Sequence, residues 1–193
     1  MGGPAAIALV ELNSIARGYR VLDALVKKSP VEILEANLVE PGIFLILFTG
    51  GVAEVEEAHT EALAVAAETL REEVFIPGVH EGLLSGLTAP VDATDLDTVG
   101  VVEGLRIAPT LEACDRALKD ARVSLLGFRL APALGGKAFY VLHGPQHDVE
   151  AAAERSHEIL QDRGALEKVE VIARPHPDFL SFLLRKAPFS LEN

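Results

Sequence analysis

The residues of this chain that could do chemistry are few and dispersed. It offers six histidines and one cysteine, Cys114, in 193 residues. A histidine works as a catalytic base only with a nucleophile or carboxylate in reach. No Ser-His-Asp, His-Glu-x-x-His or Cys-x-x-Cys pattern is present. One cysteine supports neither a disulfide framework nor a cysteine-only metal site within the chain. Its place on the Leu111/Leu118 face of a helix marks it as a small core residue. His80 and His176 each end a strand, in corresponding places, and are expected to order the chain reversal that follows. His59, His143, His147 and His157 are scattered and read as surface or packing residues. Two turns carry more distinctive chemistry. Glu40-Pro41-Gly42 is short and bears a carboxylate. Ala133-Leu134-Gly135-Gly136-Lys137 has two glycines that permit tight turning, and backbone N–H groups in such a loop can bind anions. A phosphate-cradling enzyme loop is not expected there, because a strand and not a helix follows. The expectation is no enzyme, no cofactor and no bound metal.

The composition sets outer bounds. The chain is 49% apolar and 24% charged, with 16 Gly and 11 Pro, an ordinary globular make-up. The formal net charge of −12 repels phosphate backbones, so no nucleic acid partner is expected. No apolar run approaches the ~18 residues of a membrane span. The start, Met-Gly-Gly-Pro-Ala, has no basic segment, so no secretion signal is expected, and the lone cysteine fits a reducing cytoplasm. Mean hydropathy is nonetheless positive, +0.28, which points to apolar surface covered by partners. The run Glu54, Glu56, Glu57, Glu61 reads as a solvated helix face.

The elements that must position these residues occur twice. Glu11/Glu103, Asp23/Asp115, Lys27/Lys119, Val31/Val123 and Leu38/Leu130 pair at an offset of 92. Gly50/Gly144, Val55/Val149 and Glu56/Glu150 pair at 94, and Ile76-Pro-Gly-Val-His80 answers Ile172-Ala-Arg-Pro-His176 at 96. A register this long, shifting only at loops, marks a duplicated module. The copies are expected over 1–90 and 97–193, with the boundary in Leu87–Asp97. In the first copy, strand Ala5–Glu11 precedes a helix capped by Asn13 or Ser14, with Ile15, Tyr19, Leu22 and Val26 at helical steps. Strands Val31–Val39 and Ile43–Phe48, helix Gly51–Leu70 and strand Val74–Ile76 follow. The second copy reads as strand Thr98–Leu105, helix Thr110–Ala121 with Pro109 in its first turn, strands Val123–Leu130 and Ala138–Leu142, helix Asp148–Gln161, strand Val169–Ile172 and a short tail helix from Asp178. The order βαββαβ predicts an α+β fold: two tandem ferredoxin-like (split βαβ) domains, each with helices on one face of an antiparallel sheet.

With Leu9-Val-Glu11, Asp23…Lys27, Gly50 with Val55-Glu56, and Val171-Ile-Ala-Arg-Pro-His176 all in register, both copies resemble the bacterial microcompartment shell domain. The resemblance covers nearly the whole chain. It implies a homotrimer that mimics a hexagon, tiling with other hexagonal and pentameric shell proteins around an enzyme-filled organelle in the cytoplasm. Each copy opens with its Glu-bearing strand and closes with its His-ending strand, the unpermuted order. The chain is therefore most similar to single-layer tandem members, among them a propanediol-utilisation member that binds an iron–sulfur cluster at a Cys-Pro-Gly turn. Here Glu40 stands in place of that cysteine, so no cluster is expected. The resemblance makes Glu40, Pro41, Gly42 and Ile43, with Ala133, Leu134, Gly135, Gly136 and Lys137, the lining of a central pore for small metabolites. A ring of Glu40 carboxylates would favour cations or neutral solutes, with Lys137 partly offsetting it. Lys27, Lys119 and Arg174 match the residues that meet a neighbouring tile along its edge. Two other functions remain open at this point: a soluble trimeric ligand-binding or regulatory protein, and an electron-transfer shell protein with a metal centre at the pore.

Overall fold

A computed structural model describes residues 6–88, 96–130 and 135–183, and the chain divides into two compact units at Val79/His80, with Gly136 grouped with the first. In the first unit, β1 (Ala6–Leu12) is apolar at every position but Glu11 and is buried throughout. That pattern suits a central strand covered on both faces. The sheet order is β2-β3-β1-β4, all antiparallel, with β2 at Glu32–Val39, β3 at Ile43–Gly50 and β4 at Leu70–Pro77. Leu9 sits between Leu47 and Val74. Helix α1 (Ile15–Lys28) starts at Ser14, whose hydroxyl accepts from the Arg17 amide at 3.3 Å. Its last turn carries Lys27 and Lys28, favourable at the negative end of the helix dipole. Helix α2 (Val52–Ala66) ends where Ala67 takes φ 47, and a single 3-10 turn, Ala67–Thr69, leads into β4.

The core joins Ala6, Ala8, Val10 and Leu12 of β1 to Phe44, Ile46 and Phe48 of β3, under Val21 and Leu25 of α1 and Val55, Ala58, Ala62 and Ala66 of α2. Gly18 permits this contact, because a Cβ there would overlap the Phe44 ring.

The second unit repeats the plan. Strands β5 (Thr98–Gly104), β6 (Ser124–Leu130), β7 (Ala138–Gly144) and β8 (Leu166–Ala173) form the sheet β6-β7-β5-β8, again antiparallel. Helices α4 (Ile107–Asp120) and α5 (Gln146–Asp162) pack together on it. Inside, the Tyr140 hydroxyl donates to Ser156 Oγ at 2.6 Å and the Tyr140 ring stacks on Phe128. A further cluster of Leu96, Val99, Leu126 and Val141 receives Leu183 from the end of α6 (Pro177–Leu183).

The expected split-βαβ order is observed in both units. Several boundaries differ. Residues 67–70 leave the expected first-copy helix, because Ala67 is left-handed and Leu70 already pairs with Leu12. β4 and β8 are eight residues long, at least twice the apolar cores that mark them in sequence, and α4 begins at Ile107. Helix α3 (Glu81–Thr88), absent from the expected elements, lies in the second unit against β6 and α4. The largest difference concerns α1. Its core residues are Gly18, Val21 and Leu25, while Ile15, Tyr19 and Val26 are exposed. Of the expected stripe, Leu22 packs on the core and the Tyr19 ring lies 4.9 Å from that of Phe44, while Ile15 and Val26 are left exposed at its ends.

His59 on α2 is buried, with Nε2 2.9 Å from Glu73 Oε2 and its ring stacked on Phe75. Burial pushes its pKa below the usual 6.5, and Glu73 opposes the shift in part. The folded chain thus binds fewer protons here than the unfolded chain. The contribution is fully present above the unfolded pKa of about 6.5 and is lost as pH falls below it. Urea midpoints should therefore drop between pH 6.5 and pH 5 in the wild type and drop less in His59→Gln; equal slopes would remove His59 as a source of the acid sensitivity.

Candidate functional site

The first candidate region is the β2–β3 turn. Val39 is buried and anchors it; its carbonyl accepts from the Gly42 amide at 3.1 Å. The Glu40–Pro41 peptide is cis and Gly42 sits at φ +94, where an L side chain would be strained. The tip exposes Glu40, Pro41 and Gly42, while the next residue, Ile43, turns into the core. Glu40 makes no ion pair among the described residues. Gly136 belongs to the same unit, at φ +84. A Cβ on it would lie 3.2 Å from Ile43 Cδ1 and 3.5 Å from the Glu40 carbonyl oxygen. The Pro-Gly turn and the end of the Gly-Gly loop are thus neighbours, and the glycine is what allows the approach. Gly135 is exposed at φ +63; Ala133 and Leu134 lie outside the described residues.

Lys137 has partners within the second unit. Its Nζ is 3.1 Å from Glu167 Oε1 and 3.2 Å from Glu103 Oε1. Glu167 first, and then Glu103, raises its pKa above the ordinary lysine value. In the first copy, aligned positions carry Arg71 in place of Glu167 and Ile43 in place of Lys137, so the two copies place their cation on different elements.

The second region is the Asp-x-x-x-Lys end of each edge helix. Asp23 and Lys27 pair at 2.6 Å, one turn apart, with both side chains in solvent. Asp115 and Lys119 pair at 2.5 Å, but Asp115 is buried. The added donor is the backbone amide of His80, 2.8 Å from Asp115 Oδ1. His80 also starts α3. Its Nδ1 accepts from the Gly82 amide at 3.1 Å, and its carbonyl from Leu83. His176 does the same for α6, with Nδ1 accepting from Asp178 at 3.2 Å and its carbonyl from Phe179. The paired histidines lie three residues beyond β4 and β8, which end at Pro77 and Ala173, and each caps the short helix that follows.

Arg174 is exposed and left-handed, φ 49, where the first copy has Gly78 at φ 62. Its amide donates to the Asp97 carbonyl at 2.7 Å. A non-glycine residue in this conformation costs about 1–2 kcal/mol, so the side chain is kept against its backbone preference. Cys114 is fully buried in α4, and burial pushes its thiol well above the usual range. Among the described residues no three His, Cys, Asp or Glu side chains converge as a metal site, and no helix is long and apolar enough to cross a membrane.

Two fused lobes of one fold, joined in unpermuted order, define a tandem repeat of a single module. The BMC domain matches residues 6–79 and again 98–175. The chain belongs to the BMC-domain family of bacterial microcompartment shell proteins, and its role is that of a structural shell component. It is 32% identical over 171 residues to the bacterial microcompartment shell protein PduT of Citrobacter freundii, covering 89% of this chain and 93% of that protein. A microcompartment protein from Desulfitobacterium hafniense superimposes with a TM-score of 0.83 at 35% identity, over 92% of this chain and 98% of the other. A fused permuted hexameric shell protein from the RMM microcompartment shares the fold at 20% identity, with a TM-score of 0.59 over 84% and 83% of the two chains.

The two Asp–Lys pairs should respond differently to truncation. Asp115→Ala strands a lysine and a buried amide and should cost the isolated protomer about 2–3 kcal/mol. Asp23→Ala removes an exposed pair and should cost it about 0.5 kcal/mol or less. Equal losses in chemical denaturation of the monomeric species would contradict the assigned burial.

Proposed function

We propose that three copies of this chain close into a pseudohexameric plate, each contributing two lobes, with copies running over 1–90 and 97–193. Plates tile edge to edge with other hexagonal shell proteins, while pentameric ones close the vertices. The plate's centre is an opening lined by Glu40, Pro41, Gly42 and the exposed part of the 133–137 loop, with Ile43 and Gly136 backing it. The observation that carries this reading is the tip of the β2–β3 turn: one carboxylate, displayed by a cis-Pro turn, beside the Gly-Gly loop of the second copy. Three Glu40 carboxylates about one axis favour cations and neutral metabolites over anions. Lys137 is held by Glu103 and Glu167, and the Arg71 guanidinium lies beside Gly136, so the sign of the ring rests on Glu40 against Arg71. Glu40 replaces the thiolate that an iron–sulfur cluster would need, so the opening serves exchange and not electron transfer.

The tile edge carries Lys27, Lys119 and Arg174. Lysine stems lie along the neighbouring plate while their heads donate to its carbonyls. Arg174, present in one copy only, gives alternate edges different chemistry and restricts which neighbour fits.

Glu40→Gln should leave the mass of the assembly unchanged and raise anion passage through reconstituted shells several-fold; loss of the trimer with no change in anion passage would refute the pore assignment. Lys27→Ala should yield particles of native mass that no longer form sheets or tubes in electron microscopy. Arg174→Gly should raise protomer stability by up to about 1 kcal/mol while impairing sheet formation. Undiminished sheets in both variants would remove the edge assignment.

A further inference from the structure

The central strand and the last strand of each sheet part company at the same place. Leu12 of β1 pairs with Leu70 and Glu11 with Glu72, so Arg71 of β4 is an extra residue with no partner across the strand. In the second copy Gly104 pairs with Leu166 and Glu103 with Lys168, which leaves Glu167 of β8 extra. A bulge bends its strand and re-aims the side chain it carries. The bulged residue of the second copy meets a counter-charge, the Lys137 ammonium 3.1 Å from Glu167 Oε1. The first copy has Ile43 at the position of Lys137, so its bulged residue has no such group to meet.

Arg71 reaches the turns instead. Its Nη1 lies 3.5 Å from the point where a Cβ on Gly136 would stand, and the Glu40 carbonyl oxygen lies 3.5 Å from the same point. Gly136 contributes no side chain to that space. Arg71 is half-buried, and among the described residues its guanidinium makes no hydrogen bond and no ion pair. Among the described residues nothing accepts from the Gly135 or Gly136 amide either, and glycine amides in such turns are further donors to an anion. A guanidinium is a planar fork of donors that fits a carboxylate through two parallel hydrogen bonds. Partly withdrawn from water and unsatisfied, it gains from an anionic ligand what Glu167 gains from Lys137.

We propose that Arg71, aimed by the β4 bulge at the space beside Gly136, is a binding subsite for the carboxylate of a small metabolite. This rests on the reading of these turns as the lining of an opening, and deepens it by naming a class of solute. Glu40 sets the upper limit on the ligand's charge. It displays its own carboxylate on the adjoining turn, which repels a ligand bringing a second negative charge. The subsite therefore takes monocarboxylates and disfavours dicarboxylates. In the trimer three such forks accompany three Glu40 carboxylates, and the opening selects on both signs.

Equilibrium dialysis of the full chain against radiolabelled acetate or succinate, at fixed ionic strength, tests the subsite. The wild type should bind acetate saturably, one per chain, and succinate more weakly. Arg71→Gln should weaken acetate binding about tenfold or more, since a charge-assisted hydrogen bond is lost. Arg71→Lys keeps the fold and the charge but not the fork, and should fall between the two. Glu40→Gln should bring succinate binding up to that of acetate. Wild-type protein with no saturable acetate binding, or acetate binding equal in wild type and Arg71→Gln, would overturn the subsite while leaving the opening in place. Acetate passage through reconstituted shells separates the two readings. If dialysis shows dependence on Arg71 but passage is indifferent to both Arg71→Gln and Glu40→Gln, the subsite stands and the assignment of the opening to these turns falls.

Discussion

A single buried carboxylate governs how this chain is organised. Asp115 lies out of water because two donors meet on it, the Lys119 ammonium one turn on and the His80 amide that ends the β4 segment. A buried carboxylate without such partners would cost several kcal/mol. With them, it fixes where α3 begins and where the end of α4 lies. The duplicated sequence repeats the carboxylate, the lysine and the capping histidine, but the chain has two histidine segments and only one lies on a carboxylate of the same chain. The consequence is a protomer that is complete on one side and open on the other. The chain's mean hydropathy is +0.28, and its exposed large apolar side chains include Ile15, Tyr19 and Val26 of α1 together with Leu38, Val52, Leu105 and Val171. A shell built from many plates needs subunits of this kind, in which burial is finished by association and not by folding alone.

The turns obey a different constraint. The central opening proposed here needs backbone that approaches closely and side chains that stay in solvent. Gly42 and Gly136 supply the approach, and Glu40 the exposed charge. Lys137, one residue beyond the glycines, is withdrawn from that region by Glu103 and Glu167. The exchange of charge between positions 71 and 167 shows why the copies are not interchangeable. The second copy pairs Lys137 with Glu103 and Glu167, and only the first copy places a carboxylate on its turn.

Much of this was legible before any coordinates. Matched pairs such as Glu11/Glu103 and Lys27/Lys119 exposed the duplication, because loops absorb length change while strands and helices keep register. A cap at Asn13 or Ser14, the Glu40–Pro41–Gly42 turn and the buried Cys114 followed from residue chemistry, and the structure selects Ser14. What escaped was non-local. Periodicity shows that Ile15, Tyr19, Leu22 and Val26 share a stripe of α1, but not that Gly18, Val21 and Leu25 are the ones facing the core; a glycine carries no hydrophobic signal, yet Gly18 is where Phe44 packs. Helix α3 is eight residues long and weakly periodic, so no element was expected there, and its last two residues fall in the expected boundary Leu87–Asp97. The partners of Lys137 lie about 30 residues away in sequence in each direction, beyond any local rule. Arg174 gives no sign of its left-handed backbone until it is set beside Gly78.

The claim at the centre of this account is that one lobe is finished within the chain and the other between chains. Amide hydrogen exchange of the assembled protein measures this directly. Peptides covering 15–28 and 32–39 should become as protected on assembly as those covering 107–120 and 124–130 already are in the single chain. If residues 15–28 exchange at the same rate in the assembled and the dissociated protein, the α1 edge is not where copies meet and the account is wrong.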